Sequence, residues 1–200
     1  MGEFHVIDKL FRDMPLMAAF VFLAMVVLML PFFNPPKQDE EAKNPGNMSA
    51  QIAWEPGYTS DVDLHVMGPE SDRDVYYGRK SGPVWNLLRD DLGRSNDSLP
   101  ANFENAYTRG LPAGRYAVNV RCYRCDSSEL PIKVQVEVSY RQREGSDMRV
   151  VHRGVVTIVH DRQELTAVQF ELSKDGFVVP GSKSNLYVPM WAGEPGGGNG

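Results

Sequence analysis

The sequence predicts a mainly β protein: an antiparallel β-sandwich, Ig-like or jelly-roll-like, preceded by a single N-terminal transmembrane helix. Three observations predict this. From Met14 to Phe33 the chain carries no charge and no strongly polar side chain. About 20 such residues make roughly 30 Å of helix, the hydrocarbon thickness of a bilayer. From Met48 onward the apolar period becomes two, most strictly in Ile132-Lys133-Val134-Gln135-Val136-Glu137-Val138, the pattern of a half-buried strand. Turn signals such as Pro56-Gly57, Gly68-Pro69, Pro112-Ala113-Gly114 and Asp175-Gly176 separate the short runs, and no long helical pattern interrupts them, as in a sandwich.

The elements follow in order. Residues 1–13 read as a cytoplasmic segment, in which Val6, Ile7, Leu10 and Phe11 recur at helical spacing and suit a short interfacial helix. Residues 14–33 read as the transmembrane helix, because a single segment crosses lipid only when its backbone groups pair internally. The competing reading is a cleaved signal peptide. The run is longer than the usual apolar core of about 7–15 residues, and Leu30-Pro31-Phe32-Phe33-Asn34-Pro35-Pro36 offers no small-residue cleavage site, so an uncleaved anchor is favoured. Lys9 and Arg12 before the span balance Lys37 and Lys43 after it, so charge does not set the orientation. The N-terminus is placed in the cytoplasm because the soluble domain has the character of an exported one. Residues 34–47 are a Pro-rich, charged linker. Residues 48–180 form the sandwich, with strands expected at 49–54, 61–66, 75–77, 116–120, 132–138, 150–159 and 166–172. Residues 181–200, which end in a glycine-rich stretch, are expected to be a flexible tail.

The net charge of -5 comes with no dense Lys/Arg patch, which argues against nucleic acid as a partner. No nucleophile elbow, phosphate-binding glycine loop or H-E-x-x-H helix occurs, and His5, His152 and His160 are scattered, so no enzymatic activity is expected. The two cysteines read Cys122-Tyr-Arg-Cys125. Zinc needs two further ligands, and a thioredoxin-like pair opens a helix whereas this pair follows a strand. A local disulfide requires the chain to turn, since residues three apart on a straight strand point to opposite faces. A disulfide between Cys122 and Cys125 and two free thiols both stand.

Two sets of carboxylates are candidates for chemistry. In Asp61-Val62-Asp63-Leu64-His65 the three polar side chains share one face of a strand. With Asp90 and Asp91 in a later loop, Asp61 and Asp63 offer hard oxygen donors for Ca2+, although without the EF-hand spacing. The competing reading is structural, with aspartates bonding turns and pairing with Lys80, Arg89 or Arg94. Asp13 stands at the start of the apolar run with Pro15 behind it. It reads either as a helix N-cap or as an ion-carrying carboxylate facing a protein partner at the membrane boundary. Met17, Phe20, Ala24 and Val27 lie on its helical face and would meet that partner.

Two parts of the chain resemble known families. Asp13, the apolar helix with Phe20 and Leu23, and the exit Phe33-Asn34-Pro35-Pro36 resemble the single membrane helix of the MotB/TolR/ExbD type, the B subunits of ion-driven rotary motors. In that family one aspartate near the cytoplasmic end of the helix carries the ion, and Asp13 stands in its place. The chain departs from the pattern in Pro15 and in the position of Asp13 at the edge of the apolar run. Residues 48–173, through Ala53-Trp54, Asp61-Val62-Asp63-Leu64-His65-Val66, Tyr76-Tyr77-Gly78, Leu88-Arg89-Asp90-Asp91-Leu92-Gly93 with Asn96-Asp97, and Gly114-Arg115-Tyr116-Ala117-Val118-Asn119-Val120, resemble the YfaP-type envelope β-sandwich. They do not resemble an OmpA-like peptidoglycan-binding domain. The resemblance implies a single-pass protein of the bacterial inner membrane with a periplasmic sandwich. It also implies a dimer threaded through a pentameric MotA/TolQ/ExbB-like membrane partner, with H+ or Na+ as the transported ion and no cofactor. The expected function is that of a motor B subunit coupling ion flow past Asp13 to rotation or force. The alternative is a membrane-anchored envelope binding module for a glycan or protein, without ion coupling.

Overall fold

The computed structural model describes residues 14–27, 29, 46–69, 73–93, 101–143 and 146–190. The chain divides into two units, Met1–Lys43 and Asn44–Gly200. In the first, residues 14–27 and 29 are helical and their side chains are exposed, Phe20 and Phe22 by 66% and 69%. The helix follows from its residues. Met, Leu and Ala, frequent in the described part, are strong helix formers. Among the described residues, no helix is long and apolar enough to cross a membrane. The end of the expected 14–33 span, Asp13 and most of the linker lie outside the described residues.

The second unit is mainly β, with two antiparallel sheets packed as a sandwich. Its strands are β1 (Met48–Trp54), β2 (Asp61–Met67), β3 (Trp85–Arg89), β4 (Asn102–Thr108), β5 (Gly114–Arg124), β6 (Ile132–Tyr140), β7 (Arg149–Ile158) and β8 (Glu164–Leu172). One sheet runs β3-β4-β1-β6-β7 and the other β2-β5-β8. Alternation decides which side chains enter the core. Ile52 on β1 and Val134 and Val136 on β6 meet Leu64 on β2, Val118 on β5 and Phe170 on β8, all at most 1% exposed. Each such aliphatic side chain contributes about 1.5–3 kcal/mol by leaving water. Tyr116 stacks on Phe170 with ring centroids 5.4 Å apart and meets Trp85 edge-on at 6.3 Å. Its hydroxyl donates to the Pro112 carbonyl at 2.7 Å, so the one polar end of this buried ring is satisfied.

The structure adds two strands that the apolar pattern does not announce, β3 and β4. On β4 the inward positions are Asn102, Glu104, Ala106 and Thr108, small or polar, so no hydrophobic alternation appears. The expected strand at 75–77 is reduced to two isolated bridges, Val66 with Val75 and Tyr76 with Arg79. The expected tail at 181–200 also starts too early. Ser184 bridges Gln169 on β8, the Val188 amide donates to Thr166 Oγ1 at 2.9 Å, and Met190 is 9% exposed. Residues 181–190 therefore lie along the outside of β8, held by backbone bonds that sequence polarity alone does not reveal. Residues 191–200 fall outside the described residues.

Candidate metal centre

β2 is an edge strand, paired only with β5. Val62, Leu64 and Val66 turn into the core, which sends Asp63 and His65 to the other face, opposite Arg121 and Asn119 of β5. That face is covered rather than solvated: Asp61, Asp63 and His65 are 4%, 2% and 0% exposed. The free edge of β2 still presents backbone N–H groups, which need acceptors. Val66 exchanges two bonds with Val75, at 2.7 and 3.0 Å. The Leu64 amide donates to Glu104 Oε2 at 2.7 Å. Glu104 arrives from an inward position of β4 in the other sheet, and its Oε1 accepts from the Asp91 amide at 3.1 Å. One buried carboxylate thus joins an edge strand, the second sheet and the loop after β3.

Around it lie further carboxylates. Single ligand oxygens of Asp63, Asp90 and Glu104 all fall within 4.8 Å of one another. Asp61 is close enough for its charge to act on Asp63. Asp90 Oδ2 accepts from Lys80 Nζ at 3.0 Å on the exposed side. Asp61 Oδ1, Asp63 Oδ2 and Asp90 Oδ1 are buried and accept no hydrogen bond. His65 donates or accepts through Nδ1 at 2.5 Å from Asp74 Oδ2 and stacks on Tyr76. Its Nε2 stands 4.0 Å from Asp63 Oδ2, beyond hydrogen-bonding reach.

The electrostatics follow from burial and crowding. Burial pushes the Asp63 carboxyl up to about 8, aided by the charges of Asp61 and Asp90 and opposed by Arg121. Burial lifts Asp61 to about 6, against Arg124 and with Asp90 and Asp91. Burial also holds Glu104 well above the usual carboxylate range, reinforced by Asp63, although the Leu64 and Asp91 amides favour its ionised form. Such a group of oxygen donors suits a hard cation.

Of the four residues expected as ligands, Asp63 and Asp90 bring oxygens within 4.8 Å of Glu104, Asp61 lies near enough to act on Asp63 by its charge, and the Asp91 oxygens are taken up by other bonds. Asp91 Oδ2 accepts from Arg89 Nη2 at 2.8 Å and from the Phe103 amide at 3.1 Å, while Oδ1 accepts from the Gly93 amide at 3.1 Å. Neighbouring loop residues point different ways, and Asp91 turns inward to tie its own loop together. Glu104 takes the place that the sequence reading gave to Asp91. No apolar period marks β4, so nothing in the sequence singles Glu104 out.

Elsewhere, Cys122 and Cys125 are joined by a disulfide with Cα atoms 5.9 Å apart. A bulge makes this geometry possible. Asp61 pairs with Arg124 and Val62 with Cys122, leaving Tyr123 as the extra residue, so the strand turns between the cysteines. Asp161 lies beside both sulfurs, but bonded sulfurs offer no thiolate to a metal. A separate cleft of about 670 Å³ opens between β7 and β8, lined by His152, Val155, Glu164, Thr166, Lys183 and Tyr187 among others. Met17, Phe20, Ala24 and Val27 are exposed on the N-terminal helix, and Asp13 before them lies outside the described residues. Comparison with protein-family models, with curated proteins and with solved structures gives no match to this chain.

Proposed function

We propose that this chain is a membrane-tethered B subunit of an ion-driven motor, in which Asp13 carries H+ or Na+ and the sandwich transmits force in the periplasm. The observation that carries the reading is the segment that begins directly behind Asp13. It is uncharged to Phe33, and its described helical part exposes Leu16, Met17, Phe20, Phe22 and Leu23, each by more than half. Exposed apolar surface on that scale calls for cover by lipid or a protein partner. Asp13 stands at the end of that surface, where a partner that covers the helix can reach its carboxylate. The partner is a MotA/TolQ/ExbB-like pentamer, and the B subunit works as a dimer. The test is Asp13→Asn in the full-length protein. Association with the copurifying membrane partner should persist in mild detergent while ion-dependent activity is lost. An active variant sinks the reading.

One observation favours a second reading, a membrane-anchored binding module. The cleft between β7 and β8 has the size and mixed lining of a small-ligand site. Its polar groups are organised: Tyr187 donates to Glu164 Oε2 at 2.6 Å, and Lys183 Nζ donates to the Val151 carbonyl at 3.0 Å. Replacing residues 1–33 with an unrelated membrane anchor separates the two readings. The binding module keeps its function after the exchange, and the motor subunit loses it.

A further inference from the structure

We propose that Asp63, Asp90 and Glu104, with Asp61 beside them, form a calcium site that ties the loop after β3 to the open edge of β2. The proposal is independent of the motor reading, since it concerns only the sandwich. Its first support is spacing. Three oxygens from three separate elements lie within 4.8 Å of one another, and two oxygens on opposite sides of an ion at about 2.4 Å stand that far apart.

The second support is what those oxygens lack. Asp61 Oδ1, Asp63 Oδ2 and Asp90 Oδ1 are buried and have no hydrogen-bond partner, in side chains of which Asp61 and Asp63 are more than nine-tenths buried. Buried carboxylate oxygens without donors are rare in folded proteins and call for an ion, a water or a proton. The nearest imidazole does not supply a donor. His65 is fully buried, yet its Nε2 also has no partner and stays 4.0 Å from Asp63 Oδ2. Asp74 and Tyr76 fix that ring in place, as a wall to the site.

The third support is the placement of the positive side chains. Lys80 binds the outer oxygen of Asp90 and leaves Oδ1 facing inward. Arg89 is committed to Asp91 and lies over the Phe103 ring. Arg121 stands across from Asp63 and Arg124 across from Asp61 on β5, which with Lys80 makes three positive side chains for four acids. A divalent cation supplies the missing charge. The donors are all hard oxygens, without thiolate or imidazole, which selects calcium over zinc. A calcium ion takes six to eight oxygens, so water completes the shell. The affinity expected is that of extracellular calcium modules, about 10⁻⁴–10⁻³ M.

The experiment uses the full-length chain in mild detergent, stripped with a chelator, with CaCl2 as the probe. Calorimetric titration should give one Ca2+ per chain. At about a hundredfold over Kd the thermal midpoint should rise by about 5–10 °C. Asp63→Asn and Asp90→Asn should each weaken binding at least tenfold. The exposed carboxylate variant Asp126→Asn and the helix variant Asp13→Asn should bind as the parent does. Glu104→Gln is less useful, because Glu104 also holds two backbone amides and that variant can fail to fold. Absence of binding heat and of a midpoint shift in the parent overturns the proposal. So does parental affinity in both Asp63→Asn and Asp90→Asn.

Discussion

Asp91→Ala separates a structural carboxylate from a metal ligand, two roles that the sequence does not distinguish. In the structure the Asp91 side chain is fully buried and accepts from the Phe103 amide, the Gly93 amide and Arg89 Nη2. Truncation leaves the buried Gly93 amide and the part-buried Phe103 amide without acceptors, each costing about 1–3 kcal/mol. The Arg89 guanidinium loses its partner as well, but it is 23% exposed and keeps its bond to the Phe103 carbonyl at 3.2 Å, so water offsets much of that loss. The expected total is about 3–4 kcal/mol. Urea unfolding of the full-length protein in detergent, followed by far-UV circular dichroism with chelator present, reads this value for the β unit. If folded Asp91→Ala protein is recovered, calcium titration should give the parental stoichiometry. A loss below about 1 kcal/mol, or calcium binding abolished in a variant of parental stability, would refute the assignment of Asp91 to the loop and return it to the cation.

Chelated protein should lose stability as the pH rises. Asp63 has its folded pKa raised from 3.8 to about 8, so the folded state holds more protons than the unfolded state between those values, and stability falls through that window. The loss from Asp63 between about pH 5 and about pH 7.5 is on the order of 3 kcal/mol, with Asp61 and Glu104 acting in the same direction. His152, lowered by burial and by Lys183, opposes this near pH 6, and Glu129, which burial would raise but Ser60 and Thr59 hold down, acts only at more acid pH. Asp63→Asn should flatten the profile, and urea midpoints across the range check it. Reducing the Cys122–Cys125 disulfide should lower stability by about 2 kcal/mol or less, because a sequence separation of 3 closes a very short loop; unfolding with and without reductant measures it. Gly93→Ala should cost at least about 1–3 kcal/mol, since Gly93 has φ +68° and an added Cβ would meet the Ser60 carbonyl oxygen at 2.6 Å; the same urea assay reads it.

How much of this was legible in the sequence depends on what each position faces. β6 alternates Val134, Val136 and Val138 inward with Lys133, Gln135 and Glu137 outward, and the period of two exposes it at once. β1 and β2 are legible for the same reason. β4 is not, because its inward side chains make bonds instead of apolar contacts. Asn102 Nδ2 donates to the Glu55 and Tyr58 carbonyls, Glu104 receives two amides, and Thr108 Oγ1 accepts from the Met48 amide at 3.0 Å. β3 has only five residues and a register shift near its end, too short for a period to be read. The acidic motif on β2 and the acidic loop after β3 come together at Asp63 and Asp90. Neither could show Glu104, which reaches the cluster from about forty residues away along the chain by strand pairing.

The acidic cluster and the edge of the sheet have one physical origin. An edge strand must find acceptors for its outward amides or it becomes a template for another chain. At Leu64 the acceptor is a carboxylate rather than a carbonyl, and the two amides on Glu104 favour its charged form. Once that charge lies between the sheets, Asp63 and Asp90 cannot both stand beside it without compensation, because like charges at this spacing in a low-dielectric interior repel strongly. Only a carboxylate offers an oxygen to both amides, since the NH2 of a Gln would face one of them, but that accounts for Glu104 alone among the four acids at the junction. Capping alone does not account for that number. The shared cation proposed above would account for it, taking the place of the protons that burial favours on Asp61, Asp63 and Glu104.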